Sequence, residues 1–124
     1  MMNFMMGRSP ANTAPGLSPQ DIVAKSAEGA VTVIDVRDHN EIAMSGIAKG
    51  ALHIPLSILR MQADPSSPDF HPDLSTDKTI AIYCASGARS GMAVRLFQSL
   101  GYNDVHNLGG LGHWQMAGGE IVRG

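Results

Sequence analysis

Cys84 is the only cysteine among the 124 residues. It ends the apolar run Thr79-Ile80-Ala81-Ile82-Tyr83 and opens Ala85-Ser86-Gly87-Ala88-Arg89-Ser90 ahead of a helical pattern. A thiol at a strand-to-helix turn meets successive backbone N–H groups, the positive end of a helix and, here, the cation of Arg89. All three favour thiolate over thiol. The spacing predicts a catalytic nucleophile at Cys84. It also predicts an anion cradle from the amides of Ala85, Ser86, Gly87, Ala88, Arg89 and Ser90, with Arg89 orienting the bound anion. Gly87 lets such a loop curl by taking positive φ. Two blander readings stand beside these. Cys84 could be a small buried apolar residue at a strand end, and Arg89 could neutralise Asp35 or Glu41 in a structural ion pair.

Other chemistry-bearing residues give less. Asp35, Arg37 and Glu41 read as paired charges that tie a strand end to its neighbouring loops. His39, His53, His71, His106 and His113 share no metal-ligand spacing, and one cysteine supplies no thiolate cluster, so no metal site is expected. Gly109-Gly110 reads as a turn, because no Gly-x-Gly-x-x-Gly or Walker pattern is present. Trp114 is expected to anchor packing, and Met44, Met61, Met92 and Met116 to fill gaps in the core.

The elements that must position the thiol follow from local pattern. Ser18-Pro19-Gln20-Asp21 is a helix start, with Ser18 as cap, Pro19 in the first turn and Asp21 at the positive end; the helix runs to about Glu28 and stops at Gly29. Val31-Thr32-Val33-Ile34-Asp35-Val36 is β-branched and nearly continuous in apolar character, as a strand covered on both faces should be. Residues 40–45 form a helical patch, Ala51-Leu52-His53-Ile54-Pro55 a brief strand ended by proline, and residues 57–62 another helix. Residues 64–73 carry three prolines and are expected to form a surface loop. Residues 79–83 make the next buried strand. Met92, Ala93, Leu96, Phe97 and Leu100 line one face of a helix over 90–100, Val105 to Leu108 form a last strand, and Leu111 to Met116 a last helix. Strands alternating with helices imply a mostly parallel sheet with helices on both faces. Ligands bind such sheets at the carboxyl ends of the strands, where Cys84 falls.

Composition sets the bounds. The chain is one domain long, with residues 1–16 a flexible lead-in and 17–124 the folded unit. Its 44% apolar and 16% charged residues fit a globular protein. A net charge of −2 without a Lys/Arg cluster argues against nucleic acid as a partner. No segment has membrane-spanning length, and the apolar start Met1-Met2-Asn3-Phe4-Met5-Met6 lacks the basic region of a signal peptide. One cysteine suits a reducing compartment, so the cytoplasm is the expected location.

Four segments together resemble the rhodanese-like sulfurtransferases. They are the loop Cys84-Ala85-Ser86-Gly87-Ala88-Arg89-Ser90; Ile34-Asp35-Val36-Arg37 with Glu41; Gly50-Ala51-Leu52-His53-Ile54-Pro55; and Leu108-Gly109-Gly110 with Trp114. The likeness covers residues 18 to about 117. It implies a three-layer α/β fold with a central, mostly parallel five-stranded sheet. It also implies ping-pong sulfur transfer, in which Cys84 takes the outer sulfur of a donor such as thiosulfate as a persulfide and passes it to cyanide, a thiol or a protein acceptor. No metal or organic cofactor is implied. A persulfide relay serving a protein partner, with little thiosulfate turnover, is the first rival. A phosphatase or arsenate reductase of the same fold is the weaker one. Those relatives space cysteine and arginine as Cys-x5-Arg, whereas four residues separate Cys84 from Arg89, and Tyr83 stands where the phosphatase motif has histidine. Ile47 fills a position where the sulfurtransferases often have histidine, so no Cys-His-Asp relay is implied.

Overall fold

The computed structural model describes residues 16–123; the expected flexible lead-in, apart from Gly16, falls outside them. Helix α1, Pro19–Ala27, begins as its sequence dictates. The Ser18 hydroxyl accepts from the Asp21 N–H at 3.1 Å, and the Asp21 carboxylate accepts from the Ser18 N–H at 3.2 Å, a reciprocal cap that satisfies two orphan donors. Strand β1, Thr32–Asp35, is followed by α2, His39–Ser45, by β2, Ile47–Ala48, and by β3, Leu52–His53. A single 3₁₀ turn at Leu56–Ile58 leads into α3, Leu59–Ala63. The remainder is β4, Thr79–Cys84; α4, Ala88–Ser99; β5, Asp104–Gly110; α5, Leu111–Met116; and β6, Ile121–Val122.

The central sheet has the order β3-β1-β4-β5 and is parallel throughout, with Ile34 opposite Ile82 and Asp35 opposite Tyr83. It has four strands where five were expected. Ile47 and Ala48, which follow the left-handed Gly46, instead pair antiparallel with Val122 and Ile121 in a separate two-stranded ribbon. A two-residue segment just past a glycine carries too little pattern to announce its partner.

Pleat alternation sorts the strands' side chains onto two faces. Ile34, Val36, Ile80, Ile82 and Cys84 face a core shared with Leu59 of α3 and with Ala93 and Phe97 of α4. Val33, Ala81 and Tyr83 face a second core with Ile22 of α1 and with Leu111 and Trp114 of α5. The helix-sheet-helix layering expected from the strand and helix alternation is therefore present. Trp114 is buried as expected, but the four methionines are not core. Met44 is 79% and Met116 89% exposed, and Met61 and Met92 are about half exposed. α4 spends its inward face on Ala93 and Phe97, one turn apart, which turns Met92 outward.

Candidate active site

The strand-to-helix turn after β4 folds so that sulfur performs the work of a helix cap. α4 starts after Gly87, which sits at φ 108° in the left-handed region and has no side chain with which to cap. The Cys84 Sγ takes that role. It accepts from the Gly87 N–H at 3.0 Å and from the Ser90 N–H at 3.4 Å. Ser90 is the third residue of α4, whose N–H an N-cap side chain ordinarily satisfies. The Ser90 hydroxyl lies 3.4 Å from the same sulfur. Although the Cys84 residue is only 1% exposed, its sulfur is thus ringed by donors rather than by hydrocarbon alone.

Two opposing effects act on the thiol. Burial raises its pKa by penalising the charge, while the Ser90 hydroxyl and the amides of Ser90, Gly87 and Ser86 lower it further, leaving it at about 7. A thiol lowered this far is substantially ionised near neutral pH, with no imidazole base required.

Of the cradle residues expected from sequence, the structure brings the N–H groups of Gly87 and Ser90 into hydrogen bonds with the sulfur, and the Ser86 amide adds a smaller pull on its acidity. Ala85 turns its carbonyl against Gly110, where a Cβ would stand 2.3 Å from the oxygen. Arg89 makes the ion pair that its charge left open as an alternative. Its two terminal nitrogens donate to the two Glu41 oxygens at 2.7 and 2.8 Å. That fork-on-fork contact, helped by the Asp38 N–H, holds Glu41 down to about 2 against the opposing effect of its partial burial.

Glu41 is delivered by a chain of local interactions. Asp38 caps α2 and accepts from the Glu41 N–H at 2.9 Å, while Glu41 Oε1 accepts from the Asp38 N–H at 3.2 Å. At the other end of α2, Arg37 donates to the Gly46 carbonyl at 2.6 Å and to the Ser45 hydroxyl at 2.7 Å. Arg37 is itself held by the fully buried Asp35 at 2.8 Å and lies over the Tyr83 ring. Asp35 and Arg37 are structural, as the sequence indicated.

Asn107 was missed. Its side-chain oxygen accepts from the Ser90 hydroxyl at 2.7 Å and from the Gly109 N–H at 2.9 Å, and its amide donates to the Gly87 carbonyl at 3.1 Å. One side chain on β5 therefore fixes the helix cap, the serine beside the sulfur and the strand's own exit. The only available sign was an asparagine inside a short strand pattern just ahead of Gly109-Gly110; its cause is a bulge, since the β4–β5 register moves from Ile82 opposite Asn107 to Tyr83 opposite Gly109.

Three of the histidines hold local hydrogen bonds. The Gly110 N–H donates to His113 Nδ1 at 2.9 Å, His53 Nε2 donates to the Arg37 carbonyl at 2.7 Å, and the Asp73 N–H donates to His71 Nδ1 at 3.0 Å. Among the described residues, no group of three or more His, Cys, Asp or Glu could hold a metal ion. No described helix is long and apolar enough to cross a membrane. A cavity of about 690 Å³ lies at the opposite end of the sheet, where Val31, Thr32 and Lys78 lead into β1 and β4. It has no part in the thiol's surroundings.

Comparison with known proteins agrees with this geometry. An uncharacterised protein of Bacillus subtilis is 36% identical over 90 residues, 72% of this chain and 62% of that protein, so the chain spans less than two thirds of that relative's length. The human thiosulfate:glutathione sulfurtransferase is 32% identical over 105 residues, 78% of this chain and 89% of the human protein. A structure from Rhodopseudomonas palustris, of unknown function and described as a possible tyrosine phosphatase, superposes with a TM-score of 0.76 at 30% identity, covering 95% of this chain and all of that one. The rhodanese-like domain model matches residues 18–117, and the chain belongs to that family.

Proposed function

We propose that the domain is a sulfurtransferase that carries sulfur as a persulfide on Cys84. The observation behind this reading is the sulfur's position as the N-terminal cap of α4, ringed by the amides of Gly87 and Ser90. In the first half-reaction the thiolate attacks the outer sulfur of a donor. A bond forms between Cys84 Sγ and that sulfur, and the bond to the rest of the donor breaks with its electron pair on the leaving group, sulfite if the donor is thiosulfate. In the second, a thiophilic acceptor such as cyanide or a thiol attacks the terminal sulfur and the Cys84 thiolate departs. The inward amides stabilise the anionic persulfide and the anion that leaves. The human relative's name supports thiosulfate and thiols as candidate partners, and a protein acceptor fits the same chemistry.

The expected result is a gain of one sulfur atom by mass spectrometry after exposure to thiosulfate or an organic persulfide, reversed by cyanide and absent in Cys84→Ser. No gain with either donor overturns the reading. Against a phosphatase stand the four residues between Cys84 and Arg89 and the engagement of Arg89 by Glu41, which leave a phosphoryl group short of both space and cation. Hydrolysis of an aryl phosphate that disappears in Cys84→Ser would reverse that preference.

A further inference from the structure

Arg89 is the sole cation in the segment 84–90, and both of its terminal nitrogens are occupied by Glu41. Arg37, the cation on the neighbouring strand end, is buried and bound to Asp35, Ser45 and Gly46. Lys49 and Lys78 line the cavity at the far end of the sheet. The sulfur's own neighbours are therefore neutral amides and a hydroxyl, with a charge-cancelled ion pair within coulombic reach of it.

Charge counting then separates donor classes. When the Cys84 thiolate attacks thiosulfate, three negative charges gather at the reacting sulfurs and leave as an anionic persulfide and a sulfite dianion. When it attacks the outer sulfur of an organic hydropersulfide, R–S–SH, only one is present. The products are then Cys84–S–SH and the thiolate R–S⁻, with bonds and electrons balanced and no other reactant needed. Amide dipoles suffice for one charge, whereas gathering three in a partly dry site calls for a free cation.

We propose that Glu41 is a specificity-determining residue: by closing on Arg89 it tunes the Cys84 loop to take sulfur from singly charged or neutral organic persulfides in preference to the thiosulfate dianion. This rests on the persulfide reading above and acts through Arg89 rather than on the substrate directly. Glu41→Gln keeps an oxygen for the Asp38 N–H but removes the charge, leaving Arg89's cation unneutralised within coulombic reach of the sulfur. Arg89→Gln does the reverse and leaves a bare carboxylate there.

The test measures second-order rates of Cys84 persulfide formation, by rapid quench and mass spectrometry, from thiosulfate and from the hydropersulfide of 2-mercaptoethanol. The unaltered chain is expected to load faster from the hydropersulfide. In Glu41→Gln the ratio of thiosulfate to hydropersulfide rates should rise about tenfold, the effect of one added charge within coulombic reach of the sulfur at intermediate dielectric. In Arg89→Gln it should fall by a similar factor, and the double variant, neutral again, should return close to the starting ratio. A ratio within twofold of the starting value in either folded single variant overturns the proposal. So does faster loading from thiosulfate in the unaltered chain, which needs no variant to fold. Failure of both donors to load Cys84 at all is a different result, and removes the sulfurtransferase reading itself.

Discussion

At the residue scale, the acidity of Cys84 is a contest between burial and donors, and Ser90 acts twice on the donors' side. Its N–H points at the sulfur from the first turn of α4, and its hydroxyl lies 3.4 Å from the sulfur yet 2.7 Å from the Asn107 oxygen. Of the groups that lower the thiol's pKa, that hydroxyl is the largest. Ser90→Ala is expected to move the midpoint of Cys84 alkylation by iodoacetamide upward from about 7, because the amides remain while the hydroxyl is lost. A pH series of alkylation rates reads this directly; an unmoved midpoint would mean that the amides alone set the acidity. The cysteine, the loop and the glycine that bends it were legible in the sequence because they form one contiguous string. Asn107 was not, because its role depends on a bulge that moves the β4–β5 pairing, and a bulge leaves no mark in residue type.

At the element scale, the loop after β4 is clamped between α4 and the end of β5, and the clamp works by close approach. Gly110 stands where a Cβ would be 2.3 Å from the Ala85 carbonyl oxygen, a backbone atom that has no rotamer by which to move aside. Gly110→Ala should push the Ala85–Gly87 arc outward, lower stability by about 1–3 kcal/mol, as overpacking does, and slow persulfide loading. Gly112, two residues along in α5, has open space at its Cβ position. Gly112→Ala should instead be neutral or stabilising by up to about 1 kcal/mol through helix propensity. Thermal unfolding of the two variants side by side separates a contact effect from a general intolerance of α5, and equal losses would refute the clamp. Helix starts were readable where capping is local, as at Ser18 and Asp21. The same reading failed at Met44, Met61, Met92 and Met116, since apolar type says nothing about which face a short helix turns to the sheet.

At the scale of the whole molecule, the strand and helix alternation was enough to predict a layered α/β domain with Cys84 at the carboxyl edge of its sheet. The expected fifth strand is absent from the central sheet, and the separate ribbon was not recoverable, because β2 and β6 are two-residue segments some seventy positions apart that find each other only once the chain has closed. Global stability should also record the site's electrostatics. The folded-state pKa of Cys84, about 7, lies below the usual thiol value of 9.0, so between these two pH values the unfolded chain binds the extra proton and stability rises with pH. The contribution is fully present above pH 9 and is lost as pH falls through 7; a shift of this size corresponds to on the order of 2 kcal/mol. Cys84→Ala removes the group from both states. The difference in unfolding free energy between the unaltered chain and this variant, measured by urea denaturation from pH 6 to 10, should therefore climb across that window and level off on either side. A flat difference would mean that the native fold leaves the thiol as weakly acidic as the unfolded chain does, and that the donors around it offset its burial without exceeding it.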